Sequence, residues 1–315
     1  MAGNSNLHMS KAQKEDEFYT ELSMIEKELR FYKQHFENKT VFCNCDDPEW
    51  SNFWKYFELK FDELKLKKLI STHFDASEST YKLELFKDTN GDGVINSKDI
   101  VKTPLNANGD FRSPECLEIL DDCDIVVTNP PFSLFREYIT TLVEHNKDFI
   151  IIGNLNNITY NEMMPLIKEQ KVWAGKNSGH YWFRVPEWYE EKKTDFKIDE
   201  NGVKWRRMGN ICWFTNMDIP EHYEDLTLYA TYSPEEYPKC LNIDAIFVRL
   251  VDKIPMDYNG LMAVPITILP KLNPKQFELV GFDKELTENH GRVRTLQPNG
   301  KEKTEYAGLI IRRKP

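Results

Sequence analysis

Four consecutive residues near the middle of the chain could do chemistry together: Asn129, Pro130, Pro131 and Phe132. Asn129 supplies a side-chain carbonyl acceptor. Each proline fixes its own φ, offers no N–H and biases the residue before it away from helical backbone. The loop is therefore rigid and extended, and it aims the Pro130 carbonyl beside the Asn129 amide. Phe132 adds a flat apolar face. Two convergent acceptors and a stacking ring suit a planar group that carries an amino nitrogen. The lone pair of such an amine is delocalised into its ring, which makes it a poor nucleophile. Two hydrogen bonds accepted from the NH2 favour a pyramidal nitrogen and localise the lone pair. That gain appears only as the transition state forms, so it is catalysis and not uniform binding.

Such a loop has to be presented by regular elements. The apolar run Ile125 to Val127 reads as a short buried strand that ends at the loop. Beyond it, Leu134, Phe135, Tyr138, Ile139 and Leu142 recur at helical spacing, which predicts a helix over about 133–144. A strand, a rigid loop and a helix place the four residues in the crevice beyond the carboxyl ends of the strands, where open α/β sheets bind ligands.

The rest of the first half alternates in the same way. A helix is predicted from Glu15 to Phe36, with Phe18, Leu22, Ile25, Leu29, Tyr32 and Phe36 on one face. A strand follows over 39–44, a helix around 50–57, a strand over 66–74 and a short helix over 113–120. The run Asp148 to Asn154 is almost wholly apolar, as in a central strand covered on both faces. At the end of the first strand stands Asn44-Cys45-Asp46-Asp47-Pro48, with no glycine-rich turn. An acidic loop cannot cradle a phosphate, but it suits a sulfonium cation and an amino-acid ammonium. Asp75, at the end of the strand over 66–74, is a weaker candidate for ribose hydroxyls.

The segment Asp88 to Asp99 carries oxygen ligands at the spacing of a calcium loop. Its flanks alternate like strands, and Asn90-Gly91 and Asp92-Gly93 are hairpin-turn signals. A surface hairpin is the expected outcome.

At 315 residues and 40% hydrophobic, the chain can bury a large core in one or two domains. No apolar run approaches the roughly 20 residues a membrane helix needs. The six cysteines form no CxxC pair, which predicts reduced thiols, no metal site and a cytoplasmic setting. The net charge of −10 arises entirely before residue 160, and from Tyr160 onward acids and bases balance. Any nucleic-acid surface is therefore to be sought in the C-terminal half. There, aromatics interleave with Arg184, Lys192, Lys193, Lys204, Arg206 and Arg207. A base-reading surface and a core with a polar rim both fit this pattern.

Several segments, in order, carry a family likeness. They are Asp16-Glu-Phe-Tyr-Thr20, Val41-Phe-Cys-Asn-Cys-Asp-Asp-Pro48, Asn108-Gly-Asp-Phe-Arg-Ser113 and Asp124-Ile-Val-Val-Thr-Asn-Pro-Pro-Phe132. Together they resemble the EcoRI-type adenine-specific DNA methyltransferase family. Asp257 to Thr267 and Asn273 to Glu278 resemble that family's C-terminal block. The resemblance implies an α/β fold: a Rossmann-like S-adenosylmethionine-dependent methyltransferase sheet flanked by helices, plus a mixed, β-leaning target-recognition region. Residues 1–12, small, polar and without period, are expected to be disordered; the resemblance implies a catalytic domain over 13–160 and target recognition over 161–315. It makes S-adenosyl-L-methionine the cofactor, contacted by Phe18, Tyr19, Thr20, Asn44, Asp46, Asp47, Asp110 and Phe111. It makes Asn129, Pro130, Pro131 and Phe132 the catalytic loop. The implied reaction is methyl transfer to N6 of a flipped-out adenine in double-stranded DNA, by a monomer, with a separate cognate endonuclease to be sought. Alternatives are the same chemistry on an RNA adenine or a protein glutamine, and a non-catalytic DNA-binding protein that keeps the fold.

Overall fold

The computed structural model describes residues 19–45, 47–74, 80–306 and 308–315. The disorder expected over 1–12, and the expected sites Phe18, Asp46 and Asp75, lie outside the described residues. The chain forms a mixed α/β structure with two compact units. One runs to Asn154 and includes Asn177–Met217. The other comprises Leu155–Lys176 and Asp218–Pro315.

The first unit is organised by strands β1 (Thr40–Cys43), β2 (Lys68–His73), β3 (Tyr81–Leu85), β4 (Val101–Pro104), β5 (Ile125–Thr128) and β6 (Asp148–Asn154). β7 (Trp173–Arg184), β8 (Phe196–Ile198) and β9 (Lys204–Thr215) complete a nine-stranded mixed sheet. Its order is β4-β3-β2-β1-β5-β6-β9-β7, with β8 paired to β9. β1 lies between β2 and β5 and runs parallel to both, and β5 runs parallel to β6. Every residue of β1 and β5 is buried, and so is the apolar run of β6. This is what continuous apolar strands require: a sheet covered on both faces. Residues 177–217, beyond the division expected at residue 160, thus add strands to the first unit's sheet.

Helices α1 (Leu22–Leu29), α2 (Asn52–Leu59), α3 (Pro114–Asp122) and α4 (Phe135–Glu144) accompany this sheet. Ser51 caps α2 by accepting from the N–H groups of Phe53 and Trp54, and Ser113 caps α3 by accepting from Cys116. α1 is a correction. Within the described residues, the helix predicted over 15–36 begins at Leu22, because Tyr19 pairs as a β-bridge with Arg184 and Glu21 is extended. The predicted helix also stops at Leu29 and not at Phe36: Ile25 and Leu29 are buried on α1, while Tyr32 and Phe36, equally buried, flank a separate 3-10 turn.

β3 and β4 pair antiparallel, so the segment between them is a hairpin connection, as expected. Its acids serve the backbone. Asp88 accepts from the N–H groups of Gly91 and Gly93, and Asp99 accepts from those of Thr89, Asn90 and Asn96. Among the described residues no group of three His, Cys, Asp or Glu side chains is placed to hold a metal ion.

The second unit contains α5 (Met163–Lys168) and a four-stranded sheet of order β10-β11-β15-β12. Its strands are β10 (Ile246–Phe247), β11 (Met262–Pro265), β12 (Phe277–Phe282) and β15 (Gly308–Arg313). A separate hairpin joins β13 (Arg294–Leu296) to β14 (Glu302–Thr304), and α6 (Asp283–Leu286) follows β12. Phe247, Ala263, Val293 and Ile310 form a buried cluster in this unit. Long loops are pinned by side-chain amides. Gln276 both accepts from and donates to the backbone of Leu226, and Asn273 donates to Tyr223 O and Asp225 Oδ1. Among the described residues no helix is long and apolar enough to cross a membrane.

Candidate functional site

The site is built at the carboxyl ends of β1 and β5. The chain leaves β1 toward β2 on one side, and later returns to form β5 on the other. The loops after these two adjacent parallel strands therefore diverge, and a crevice opens between them. One loop begins Asn44-Cys45, and the other is Asn129-Pro130-Pro131-Phe132.

Asn129 and Pro130 are buried, and Pro131 and Phe132 are half-buried. Pro131 is extended, at φ −54° and ψ 125°, and its carbonyl accepts from Leu134 N. A single 3-10 turn, Phe132–Leu134, then leads into α4, so the helix predicted from residue 133 is entered through a tighter turn. α4 sits tightly on β6: a Cβ at Gly153 would stand 2.5 Å from Phe135 Cε2. Phe135, Tyr138, Ile139 and Leu142 are the buried face of α4, as their spacing predicts.

Two hydrogen bonds connect the loop after β1 to the elements that flank the Asn129 loop. Cys45 N donates to Thr128 Oγ1 at 3.3 Å, and the Tyr138 hydroxyl donates to Asn44 Oδ1. Asn44 is buried, and the Cys45 thiol also approaches its Oδ1 at 3.6 Å. The β1 end is further fixed to β2 by Ser71 Oγ, which donates to Cys43 O at 2.7 Å.

Phe111 is buried and meets the Tyr138 ring edge-on, at 4.9 Å between centroids. Gly109 precedes it at φ +74°, where a Cβ would stand 2.3 Å from His73 O. Only glycine allows this turn to close against the end of β2. Asp110 is gripped by Arg112: Nε donates to Oδ1 at 2.8 Å, Nη2 to Oδ2 at 2.6 Å, and the backbone N to Oδ1 at 2.9 Å. Burial alone raises the Asp110 pKa, but the Arg112 hydrogen bonds outweigh it and hold the carboxyl below the usual carboxylate range. Asp110 is therefore ionised at neutral pH. Arg112 also reaches Glu137 of α4 at 3.4 Å.

Asp47 accepts from Glu49 N at 2.9 Å and stands 3.2 Å from His73 Nδ1. His73 stacks on Tyr81 at 4.8 Å. Asn44, Asp47, Phe111 and the Asn129 loop are thus gathered at one end of the sheet.

Tyr19 and Thr20 are bonded to residues outside these two loops. Tyr19 N donates to Arg184 O at 2.9 Å, and Thr20 O accepts from Asn52 Nδ2, at the start of α2, at 2.7 Å. Tyr19 lines a cavity of about 520 Å3 with Trp50, Lys55, Arg184 and Lys204, and none of residues 129–132 lines it. Thr20 is buried, and its Oγ1 has no hydrogen-bond partner among the described residues.

Comparison with known proteins adds a decisive observation. The family model described as adenine-specific methyltransferase EcoRI matches residues 6–314. The chain belongs to that family. It is 45% identical to the type II methyltransferase M.EcoRI of Escherichia coli, over 99% of this chain and 98% of that protein. It is 38% identical to the type II methyltransferase M.MgeORF184P of Mycoplasma genitalium, over 93% and 90% of the two chains. M.MpnI of Mycoplasma pneumoniae, also a type II methyltransferase, is 36% identical over 97% of each chain. No solved structure matches.

In this EcoRI-family member, the motif residues are held by partners that sequence reading passed over. Tyr138 reads in sequence as one more apolar position on an amphipathic helix. Thr128 reads as the last residue of a strand. Asn52 carries no motif at all. A polar group on an otherwise apolar helix face was the available signal for Tyr138, because a buried hydroxyl needs a partner.

Proposed function

We propose that this chain is a site-specific DNA adenine methyltransferase that uses S-adenosylmethionine and acts on N6 of an extrahelical adenine. The observation that carries the reading is the Asn129-Pro130-Pro131-Phe132 loop, seated beside the β1 loop at the divergence of two adjacent parallel strands, in a chain of the EcoRI methyltransferase family.

The residues present fit the cofactor. Asn44 and Phe111 are buried polar and aromatic groups, Asp110 is ionised, and Thr20 carries a buried hydroxyl that lacks a partner among the described residues. Tyr19, Thr20, Asn44, Asp47, Asp110 and Phe111 would hold it, together with Phe18 and Asp46. S-adenosylmethionine, when bound, supplies an electrophilic methyl group for direct displacement by an amine. Asp110 has both oxygens engaged by Arg112, and a carboxylate retains further acceptor capacity for an adenine amine.

A duplex hides adenine N6, so the target base has to leave the stack. Phe132 would stack on it. Asn129 Oδ1 and the Pro130 carbonyl would accept the two N6 hydrogens and aim the nitrogen lone pair. The loop is already rigid, so positioning and two hydrogen bonds provide the catalysis without reorganisation. The sheet of the first unit is read as Rossmann-like. The functional division places catalysis in residues 13–160 and target recognition in 161–315.

The test is methyl transfer from labelled S-adenosylmethionine to unmethylated plasmid DNA, followed by single-molecule sequencing. N6-methyladenine in a single motif is the expected result. Transfer to RNA or protein but not to duplex DNA would overturn the substrate assignment.

A further inference from the structure

Between the two loops of the crevice stands one side chain that neither motif contains. Tyr138 lies in the first turn of α4, after the 3-10 turn that follows the Asn129-Pro130-Pro131-Phe132 loop, and is 1% exposed. Its ring packs edge-on against Phe111 at 4.9 Å, and its hydroxyl donates to Asn44 Oδ1. A single tyrosine thus touches two of the buried groups expected to contact the cofactor, from the helix that follows the Asn129 loop.

We infer that Tyr138 is a positioning residue, whose hydroxyl fixes the side-chain amide of Asn44 and so sets the cofactor loop in register with the catalytic loop. An asparagine amide rotates about two torsions, and its oxygen and nitrogen present opposite chemistry to a ligand. With Oδ1 committed to Tyr138, the amide nitrogen is the face left for a ligand's acceptor. The hydroxyl is a secure donor, because desolvation raises its pKa well above the usual tyrosine value and keeps it protonated. The bond is also buried, so water does not replace it when it is lost. The bond from Cys45 N to Thr128 Oγ1 ties the main chain of the β1 loop to the end of β5, and Tyr138 ties the side chain that meets the ligand.

This inference rests on the proposed role of Asn44 toward S-adenosylmethionine, and the experiment separates the two. Cofactor dissociation constants are measured by calorimetry for the parent, Tyr138→Phe, Asn44→Ala and the double variant. Single-turnover methylation rates are measured at saturating cofactor. Phenylalanine keeps the ring against Phe111, and thermal melting checks that it folds. Tyr138→Phe is expected to weaken cofactor binding about fivefold, the scale of one hydrogen bond, with the single-turnover rate kept within about twofold. Asn44→Ala is expected to weaken binding at least as much, and the double variant no further than Asn44→Ala alone. Additive losses in the double variant would overturn the coupling while leaving the role of Asn44 intact. An Asn44→Ala protein that binds like the parent would overturn the role of Asn44 itself. Should Tyr138→Phe fail to fold, Asn44→Gln keeps both amide atoms but shifts them away from the hydroxyl. It is expected to weaken cofactor binding, and parental affinity would overturn the inference.

Discussion

Cys45 N donates to Thr128 Oγ1 at 3.3 Å, which ties the loop after β1 to the residue that immediately precedes Asn129. Thr128 is fully buried, so its hydroxyl is placed for this contact and not for solvent. The bond spans the divergence of the two strands and limits how far the loop after β1 can move from the Asn129 loop.

Thr128→Val keeps the shape of the side chain and removes the acceptor. It is expected to cost about 1 kcal/mol of stability, since Cys45 N–H loses its partner. The methylation rate at low cofactor is expected to fall about fivefold. Urea denaturation and single-turnover kinetics measure the two effects. A variant with parental kinetics would show that the tie is not used in catalysis.

Asn129→Ala removes one of the two acceptors proposed for the N6 hydrogens. Turnover is expected to fall by roughly 10²–10³-fold, the loss seen when one transition-state hydrogen bond is deleted. Cofactor affinity is expected to stay near the parental value. Phe132→Ala, on the half-buried ring, is expected to weaken capture of the extruded base more than cofactor binding. Fluorescence of a 2-aminopurine placed at the target position reads base capture directly.

Gly109→Ala tests the close approach at the end of β2. The position has φ +74°, and an added Cβ would stand 2.3 Å from His73 O. A strained φ alone costs about 1–3 kcal/mol, and backbone displacement adds to it. Reduced stability in urea is expected together with weakened cofactor binding, because Asp110 and Phe111 follow directly.

His222 makes the second unit pH-sensitive. It is buried, stacked on Trp173 at 4.3 Å and 8°. Desolvation holds its pKa below the usual histidine value, despite Asp218 Oδ1 at 3.1 Å from Nδ1. The unfolded chain therefore binds this proton more readily than the folded one. The associated stability is complete above about pH 6.5 and is lost as pH falls through that value toward the folded pKa. Thermal melting between pH 7.5 and 5, as assay settings of about that range, is expected to fall less steeply for His222→Gln than for the parent. Equal slopes would exclude His222 as the titrating group.

Local pattern accounts for much of what proved legible. β1, β5 and β6 are runs of buried apolar residues, and α4 shows its buried face at regular spacing. The two prolines after Asn129 set an extended loop wherever they occur. The start of α1 was not legible, because Tyr19 is held extended by Arg184, far along the chain. The ion pair on Asp110 was hidden for a different reason: Arg112 could point anywhere until the fold closed around it. The oxygen-rich loop from Asp88 to Asp99 shows the same limit, since only its folded form reveals that backbone N–H groups occupy Asp88 and Asp99.

What the sequence by itself determined is the set of chemical groups and their local backbone: the rigid Asn129 loop, the acidic loop after the first strand, and the family those motifs mark. These depend on φ restrictions and short-range periodicity, which act within a few residues. What only the tertiary structure decided is which groups meet. Asn44 finds Tyr138 and Cys45 finds Thr128 because parallel strands joined by long crossovers bring distant segments to one sheet end, and Gly109 closes against His73 because the antiparallel β2-β3-β4 meander returns the chain to the end of β2. Those meetings are set by the order of the strands, and strand order is a property of the packed whole.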